Sequence, residues 1–248
     1  MKRLVILTGA SRGMGLAMAE QLLDAGAHLL CIARKPDASL QARAPGRCEQ
    51  WPHDLARSNS LAAKLQTWLG TQESEGFEEA CLINNAGVLP RVAPLGQVPI
   101  DEIADALRID LEAPMLLTSA FLRATQAWTI SRKVLNISSG LGRRAMASQA
   151  VYCAAKAGMD HFTRCVALEE AARPNGARVC SLAPGVIDTD MQVHLREADP
   201  DQFPDVAGFI GLQEKGMLMS PAQAASKVLA ILGRADFGAN PVADVRDA

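Results

Sequence analysis

Residues 3–26 read R-L-V-I-L-T-G-A-S-R-G-M-G-L-A-M-A-E-Q-L-L-D-A-G, and this stretch decides the class of fold. Arg3 to Leu7 is an unbroken apolar run, as expected of a strand covered on both faces. A glycine-rich turn, Thr8 to Gly15, follows at once, and Leu16 to Ala25 then carries a helical pattern closed by Gly26. Strand, glycine-rich turn and helix in this order make the phosphate-binding corner of a dinucleotide fold. Gly9, Gly13 and Gly15 let the backbone approach a pyrophosphate, and the helix start offers unpaired N–H groups and a positive dipole end. The spacing G-x-x-x-G-x-G departs from G-x-G-x-x-G, and the absence of a G-K-[ST] excludes a Walker A loop.

Outward from this corner, His28 to Ala33 reads as the second strand, and the residue beyond it selects the cofactor. A carboxylate there accepts from the ribose 2′-hydroxyl of NAD, whereas an arginine receives the 2′-phosphate of NADP. Arg34 and Lys35 hold the position, no acid lies between His28 and Pro36, and Arg12 adds a cation from the turn, so NADP(H) is expected. Arg47 to Trp51 reads as a third strand. Asp54 after it suits either the adenine amino group or the cap of the next helix, whose stripe is Leu61, Leu65, Trp68 and Leu69. Thr71 to Glu79 is polar and acidic and reads as a solvated loop. Ala80 to Ile83 is a fourth strand ending in Asn84-Asn85-Ala86-Gly87, whose amides and glycine suit a tight turn and a wall of the cofactor crevice. The alternation predicts a single α/β domain over residues 1–248: a Rossmann-type, doubly wound parallel sheet of about seven strands, helices on both faces and ligands at the carboxyl ends.

The chemistry-bearing stretch begins with V-L-N-I-S-S-G, Val134 to Gly140, a buried strand ending in hydroxyls. Y-C-A-A-K, Tyr152 to Lys156, then opens a long helical pattern. Residues four apart share a helix face, so the ammonium of Lys156 lies one turn from the phenol of Tyr152. A phenol has a reference pKa of about 10, and a neighbouring cation brings it towards the working range of a general acid or base. Ser139, at the strand end, is placed to reach the same substrate oxygen. Tyr152 is the chain's single tyrosine.

Composition excludes other classes. Apolar residues make up 49%, and 25 basic against 27 acidic side chains leave a net charge of −2, which provides no footprint for nucleic acid or an anionic membrane. The first apolar run stops at Leu7, too short for a signal peptide, and no run approaches the ~20 apolar residues of a membrane span. Cysteines 31, 48, 81, 153, 165 and 180 form no C-x-x-C, and four lie in apolar runs, as expected of reduced thiols in a cytosolic protein. The four histidines (28, 53, 161 and 194) show no ligand spacing, so no metal is expected.

Farther along, Pro114 is expected to bend or divide the helix that contains Asp110. Met159, Phe162, Val166 and Leu168 read as packing residues of the Tyr152 helix, with His161 beside that face. Arg178 to Leu182 is a sixth strand. Asp188 to Met219 loses periodicity, so that residues 186–219 are expected to form a substrate loop or lid. Phe203, Phe209 and Ile210, with Leu89, Leu141 and Met146, suggest an apolar pocket. Arg143 and Arg144 suit either an anionic substrate group or the surface. Ser220-Pro221 caps a last helix, and Pro241 to Val245 reads as the final strand.

T-G-A-S-R-G-M-G, N-N-A-G, I-S-S, Y-C-A-A-K and the Pro184-Gly185 pair, in this order and spacing, resemble the short-chain dehydrogenases/reductases over nearly the whole chain. Within that family, Ala33-Arg34, E-A-P-M (Glu112 to Met115) and P-G-V-I-D-T-D-M are most similar to the sepiapterin reductase and benzil reductase group of NADPH-dependent carbonyl reductases. The resemblance implies that Tyr152 gives the proton in reduction and takes it in oxidation. Lys156 depresses its pKa and binds the nicotinamide ribose, and Ser139 holds the substrate carbonyl. Gly9, Ser11, Arg12, Gly13, Met14 and Gly15 surround the phosphates. Asn85, Ala86 and Gly87 line the adenosine side, and Val186 with Thr189, after Pro184 and Gly185, fixes the carboxamide. Many relatives carry an Asn where this chain has Asp110; an Asp there can hold the same water, while its charge steadies the Lys156 ammonium. A salt bridge from Asp110 to Arg108 is the other reading. Expected partners are a small carbonyl substrate and a second copy of the chain, joined through the helices bearing Asp110 and Tyr152 as a dimer or, alternatively, a tetramer. An NAD(P)-dependent alcohol dehydrogenase working oxidatively, and a catalytically silent NADP-binding regulator, stay open as alternatives.

Overall fold

The computed structural model describes residues 2–247; positions 1 and 248, the ends of the expected domain, lie outside them. Seven strands, β1 (Arg3–Thr8), β2 (His28–Ala33), β3 (Cys48–Pro52), β4 (Glu79–Asn84), β5 (Ser131–Ile137), β6 (Arg178–Ala183) and β7 (Val242–Asp244), form one parallel sheet in the order β3-β2-β1-β4-β5-β6-β7. The order reverses between β1 and β4, and a doubly wound sheet binds ligands in the crevice beyond the carboxyl ends at that point. The helices are α1 (Gly13–Asp24), α2 (Ala38–Arg43), α3 (Ser58–Leu69), α4 (Ile100–Leu107), α5 (Ala113–Ala124), α6 (Ala150–Ala171), α7 (Asp190–Arg196), α8 (Val206–Glu214) and α9 (Pro221–Leu232).

Strand alternation distributes β1 between two cores. Val5 and Leu7 pack on one face with Met18 and Leu22 of α1 and Val228 of α9. Leu4 and Ile6 pack on the other with Leu61 and Leu65 of α3 and Leu117 and Phe121 of α5. Burial on both faces is why the strand reads as an unbroken apolar run rather than an alternating one. Ser220 and Gln223 form a reciprocal capping box at the start of α9, with Pro221 in its first turn.

Pro114 interrupts the helix as expected: α4 and α5 are joined without a break by a π-turn over Arg108–Glu112, which contains Asp110 and lies just before the proline. Residues 186–219 contain the short helices α7 and α8. Only Val206 of α8 is buried, so its sequence carries no one-sided stripe. Several other expectations are corrected. Glu79 is not in a solvated loop: it opens β4, is 4% exposed and pairs with Arg3 at 3.0 Å and Lys133 at 2.7 Å. Leu168 is 75% exposed rather than packed, and His161 is exposed too.

Candidate active site

A cleft of about 1240 Å³ runs along the carboxyl edge of the sheet, roomier than most single-ligand pockets and able to hold a dinucleotide and a small substrate together. Its cofactor end is built by the β1–α1 turn. Gly9 (φ +71) and Gly13 (φ +55) take a left-handed backbone that a side chain would strain. A Cβ on Gly15 would lie 2.0 Å from the Gly9 carbonyl oxygen, so α1 is packed directly on the strand end. Asn85 ties β4 to this turn, its amide donating to the Thr8 carbonyl at 3.0 Å and the Gly9 carbonyl at 3.3 Å, while Thr8 Oγ1 accepts from the backbone N–H groups of Asn85 and Ala86. The first amides of α1 have no helical carbonyl to bond and therefore face the cleft's phosphate end as donors.

Ser11, Arg12, Met14, Ala86 and Gly87 line the same end, as does Arg34. Arg34 is exposed and makes no ion pair among the described residues. Asp37, the next acid after β2, accepts from Ser39 N–H as the cap of α2; the side-chain and backbone hydrogen bonds from Ser39 hold its carboxyl below the ordinary range. Asp54 lines the cleft and also caps the turn after β3, accepting from Ala56 N–H at 3.1 Å. Arg12, in the lining of this end, also pairs with Asp190 at the start of α7. Helix-start amides, a serine hydroxyl and an unpaired guanidinium are the donor set that a phosphorylated dinucleotide requires, so the residues present fit that cofactor.

The end of the cleft that holds Ser139, Tyr152 and Lys156 is built by β5 and α6. Leu141 N–H donates to Ser139 Oγ at 3.1 Å, which leaves the serine hydroxyl hydrogen available to a substrate oxygen. Tyr152 is buried, and Lys156 Nζ lies 5.4 Å from its ring centre, held by the Ile137 carbonyl at 3.2 Å. Asp110 is fully buried below them, outside the cleft lining. Its Oδ1 accepts from Val88 N–H at 2.8 Å and its Oδ2 lies 4.0 Å from Lys156 Nζ, whereas Arg108 pairs with Asp105. Burial pushes the Asp110 carboxyl up, opposed by Lys156 and the Val88 N–H.

Lys156 acts on the phenol in the expected direction, but burial outweighs it. Burial pushes Tyr152 above the ordinary phenol value; Lys156 pulls it down, Asp110 pushes it up, and the Ser139 hydroxyl pulls it down, with burial the largest effect. Tyr152 is therefore a protonated phenol across the neutral range.

Pro184, Gly185, Val186 and Thr189 carry the lining from β6 to α7, where Thr189 is the residue before the helix and its methyl faces Gly13. Leu89, Leu141, Met146 and Phe209 give the substrate end apolar walls. Phe203 lies beneath them as a fully buried support, packed on Phe209 at 5.5 Å between ring centres, and Ile210 is outside the lining. Arg144 lines the cleft. Arg143 lines it too, and reaches Asp160 at 3.7 Å and the Ala243 carbonyl. Sequence reasoning missed Gln149, Gln192, Leu195 and the Asp244–Arg246 pair, all in the lining. Gln149 was within reach of that reasoning, since it precedes Tyr152 by one helical turn; nothing in the pattern places the chain's last residues at the cleft.

The short chain dehydrogenase family model matches residues 3–200. The chain is 34% identical over 238 residues to benzil reductase ((S)-benzoin forming) of Bacillus cereus, covering 95% of this chain and 96% of that protein. It is 33% identical over 257 residues to sepiapterin reductase of Meriones unguiculatus, covering 98% and 95%. Among solved structures, a Beutenbergia cavernae protein crystallised with NADP bound at low occupancy superposes with a TM-score of 0.79 at 27% identity, covering 98% of this chain and 94% of the other. With a strand-ending serine, a tyrosine and a lysine gathered beside a dinucleotide corner, and with relatives matched almost end to end, the chain belongs to the short-chain dehydrogenase family.

Proposed function

We propose that the protein is an NADPH-dependent carbonyl reductase that converts a ketone, a diketone or a pteridine side-chain carbonyl to an alcohol. The observation that carries this reading is one cleft lined by Ser139, Tyr152 and Lys156 at one end and by Arg34 at the other. When bound, reduced nicotinamide supplies the hydride. Ser139 donates to the carbonyl oxygen and holds it beside the Tyr152 hydroxyl. As negative charge grows on that oxygen, Tyr152 gives up its proton, and the Lys156 ammonium, itself buried, steadies the phenolate left behind. Burial favours the protonated phenol, the form that reduction uses. The intact trio speaks against a silent regulator.

Arg34, at the end of β2 and without an ion pair among the described residues, supports NADPH over NADH. Residues 186–219 act as a lid, α7 and α8 covering the substrate end. Two copies pair through α5 and α6, which between them line a groove of about 370 Å³ with Met115 (41% exposed), Leu122 and Phe162 and leave Leu168 (75% exposed) on the surface of α6. All six cysteines are unpaired, four of them buried, which suits the reducing cytoplasm. The test is loss of reduced-nicotinamide absorbance over a panel of ketones and diketones. Turnover with NADPH, lowered by about 10² or more in Tyr152→Phe, is expected. NADPH binding without turnover on any carbonyl would overturn the proposal.

A further inference from the structure

Among the described residues other than glycine, Ser148 alone has a positive φ, +61. It is the third residue of a turn, Met146 to Gln149, closed by Gln149 N–H donating to the Met146 carbonyl at 3.4 Å. A serine is strained in this left-handed region, where glycine or asparagine fills the place in a turn with less difficulty. Such strain persists only where the surroundings hold it, and it gathers at working parts of a protein.

The turn runs straight into α6, so Ser148 stands four residues before Tyr152. Two contacts hold it, and both reach the segment between α7 and α8. Met146 packs with Phe203, Leu195 and Val92 in a third apolar cluster, apart from the two that cover the sheet. The Ser148 hydroxyl, half-buried, donates to the backbone carbonyl of Gln202, next to the fully buried Phe203. A glycine would make the same turn with less strain but would have no hydroxyl to reach Gln202. What the serine adds is the tether.

We propose that Ser148 is a positioning residue that holds the α7–α8 lid seated over the substrate end by tying it to the turn from which the Tyr152 helix starts. The proposal rests on the lid reading of residues 186–219 above. Ser148 lies outside the cleft lining, so it acts through the lid: Phe209, which lines the substrate end, is carried by the same segment and packs on Phe203. A hydrogen bond of ordinary net strength shifts the balance between seated and lifted lid by about two- to tenfold. Ser139 and Lys156 are held from elsewhere, by Leu141 N–H and the Ile137 carbonyl, and the glycine turn that receives the cofactor lies at the other end of the cleft. Loss of the tether is therefore felt in the binding of substrate, with kcat and NADPH affinity little changed.

The test is hydrogen exchange on the full chain, without substrate, in wild type, Ser148→Gly, Ser148→Ala and Ser148→Asn, together with KM, kcat and NADPH affinity. The reporting amides are those of Gln202 and Phe203, which donate to the Asp199 carbonyl at 2.9 and 2.8 Å. In Ser148→Gly they are expected to exchange about two- to tenfold faster, with KM for the carbonyl substrate raised by up to the same factor. Ser148→Ala, which removes the hydroxyl without loosening the backbone, is expected to do the same and serves alone if the glycine variant does not fold. Ser148→Asn tolerates the left-handed backbone and keeps a donor, so it should restore slow exchange. Exchange unchanged in the glycine and alanine variants, faster exchange with KM unchanged, or an asparagine variant no better than glycine would overturn the proposal. Exchange is read without turnover, so it decides the matter even if no carbonyl is reduced, the result that would instead bring down the reductase reading.

Discussion

Lys156 Nζ and Asp110 Oδ2 face each other across 4.0 Å, both side chains almost wholly buried, too far apart for a hydrogen bond and close enough for a strong charge contact. Asp110 reaches this place because the π-turn over Arg108–Glu112 turns it inward, where Oδ1 takes the Val88 N–H. Its charge works on Tyr152 in the direction opposite to that of Lys156.

Asp110→Asn keeps an acceptor for Val88 and removes the charge. Activity is expected to stay within about tenfold, a barrier change of ~1.4 kcal/mol or less. The phenol should ionise at lower pH, because one of the effects holding it up has gone. Stability should respond too. The buried carboxyl holds its proton more tightly than the unfolded chain does, so its contribution is full below the ordinary carboxylate range and is lost as pH rises through the raised value. The asparagine variant should lack that dependence in melts taken from mildly acid to neutral pH. A loss of several orders of magnitude in kcat/KM would show that the charge itself is needed.

The raised Tyr152 pKa fixes the shape of the pH–rate profile in reduction. The proton donor is intact below its pKa, so kcat/KM should stay level through neutrality and fall only in the alkaline range above the ordinary phenol value. Oxidation of the matching alcohol should rise over the same range. Stopped-flow rates of both directions between neutral and strongly alkaline pH check this. A reduction rate already falling at neutral pH would mean that the phenol is tuned downward in the working complex.

Much of this was legible because the decisive residues carry local signatures. The glycine turn is flanked by a strand and a helix, and Tyr152 and Lys156 declare their shared face by spacing alone. What was illegible depends on burial. Glu79 looks like part of a polar loop until the sheet places it beside Lys133. Leu168 looks like core until α6 turns it outward. Burial also outweighs the cation at Tyr152: spacing reveals the ammonium beside a phenol but not how much water the phenol has lost. α2 buries only Leu40 and α8 only Val206, so neither shows the stripe by which helices are read.

Arg34 supports a separable prediction about the cofactor. Its guanidinium is exposed, lines the cleft and has no acidic partner among the described residues. Arg34→Ala should weaken NADPH binding by roughly ten- to a hundredfold, the value of a charge-assisted hydrogen bond to phosphate, and leave NADH almost untouched. Fluorescence titration of both reduced cofactors distinguishes this from general damage, in which the two affinities would fall together.

The last prediction concerns the opposite edge of the sheet. Glu79, at the amino end of β4, bridges Arg3 and Lys133 from the adjacent strands β1 and β5, and Lys133 also donates to the Leu232 carbonyl at 2.7 Å. Lys133 is 5% exposed, so removing Glu79 strands a positive charge out of water while Arg3 retains some access to solvent. Glu79→Ala is therefore expected to cost about 3–5 kcal/mol of stability, as for other broken buried ion pairs. At this chain length that corresponds to a fall in Tm of roughly 6–20 °C. Ligand contacts gather at the carboxyl ends of the strands, so the protein that remains folded should bind NADPH with its original affinity. A melt shifted by that amount with affinity retained would confirm that the triad holds the sheet together and plays no part in the cleft; lost affinity with an unchanged melt would refute it.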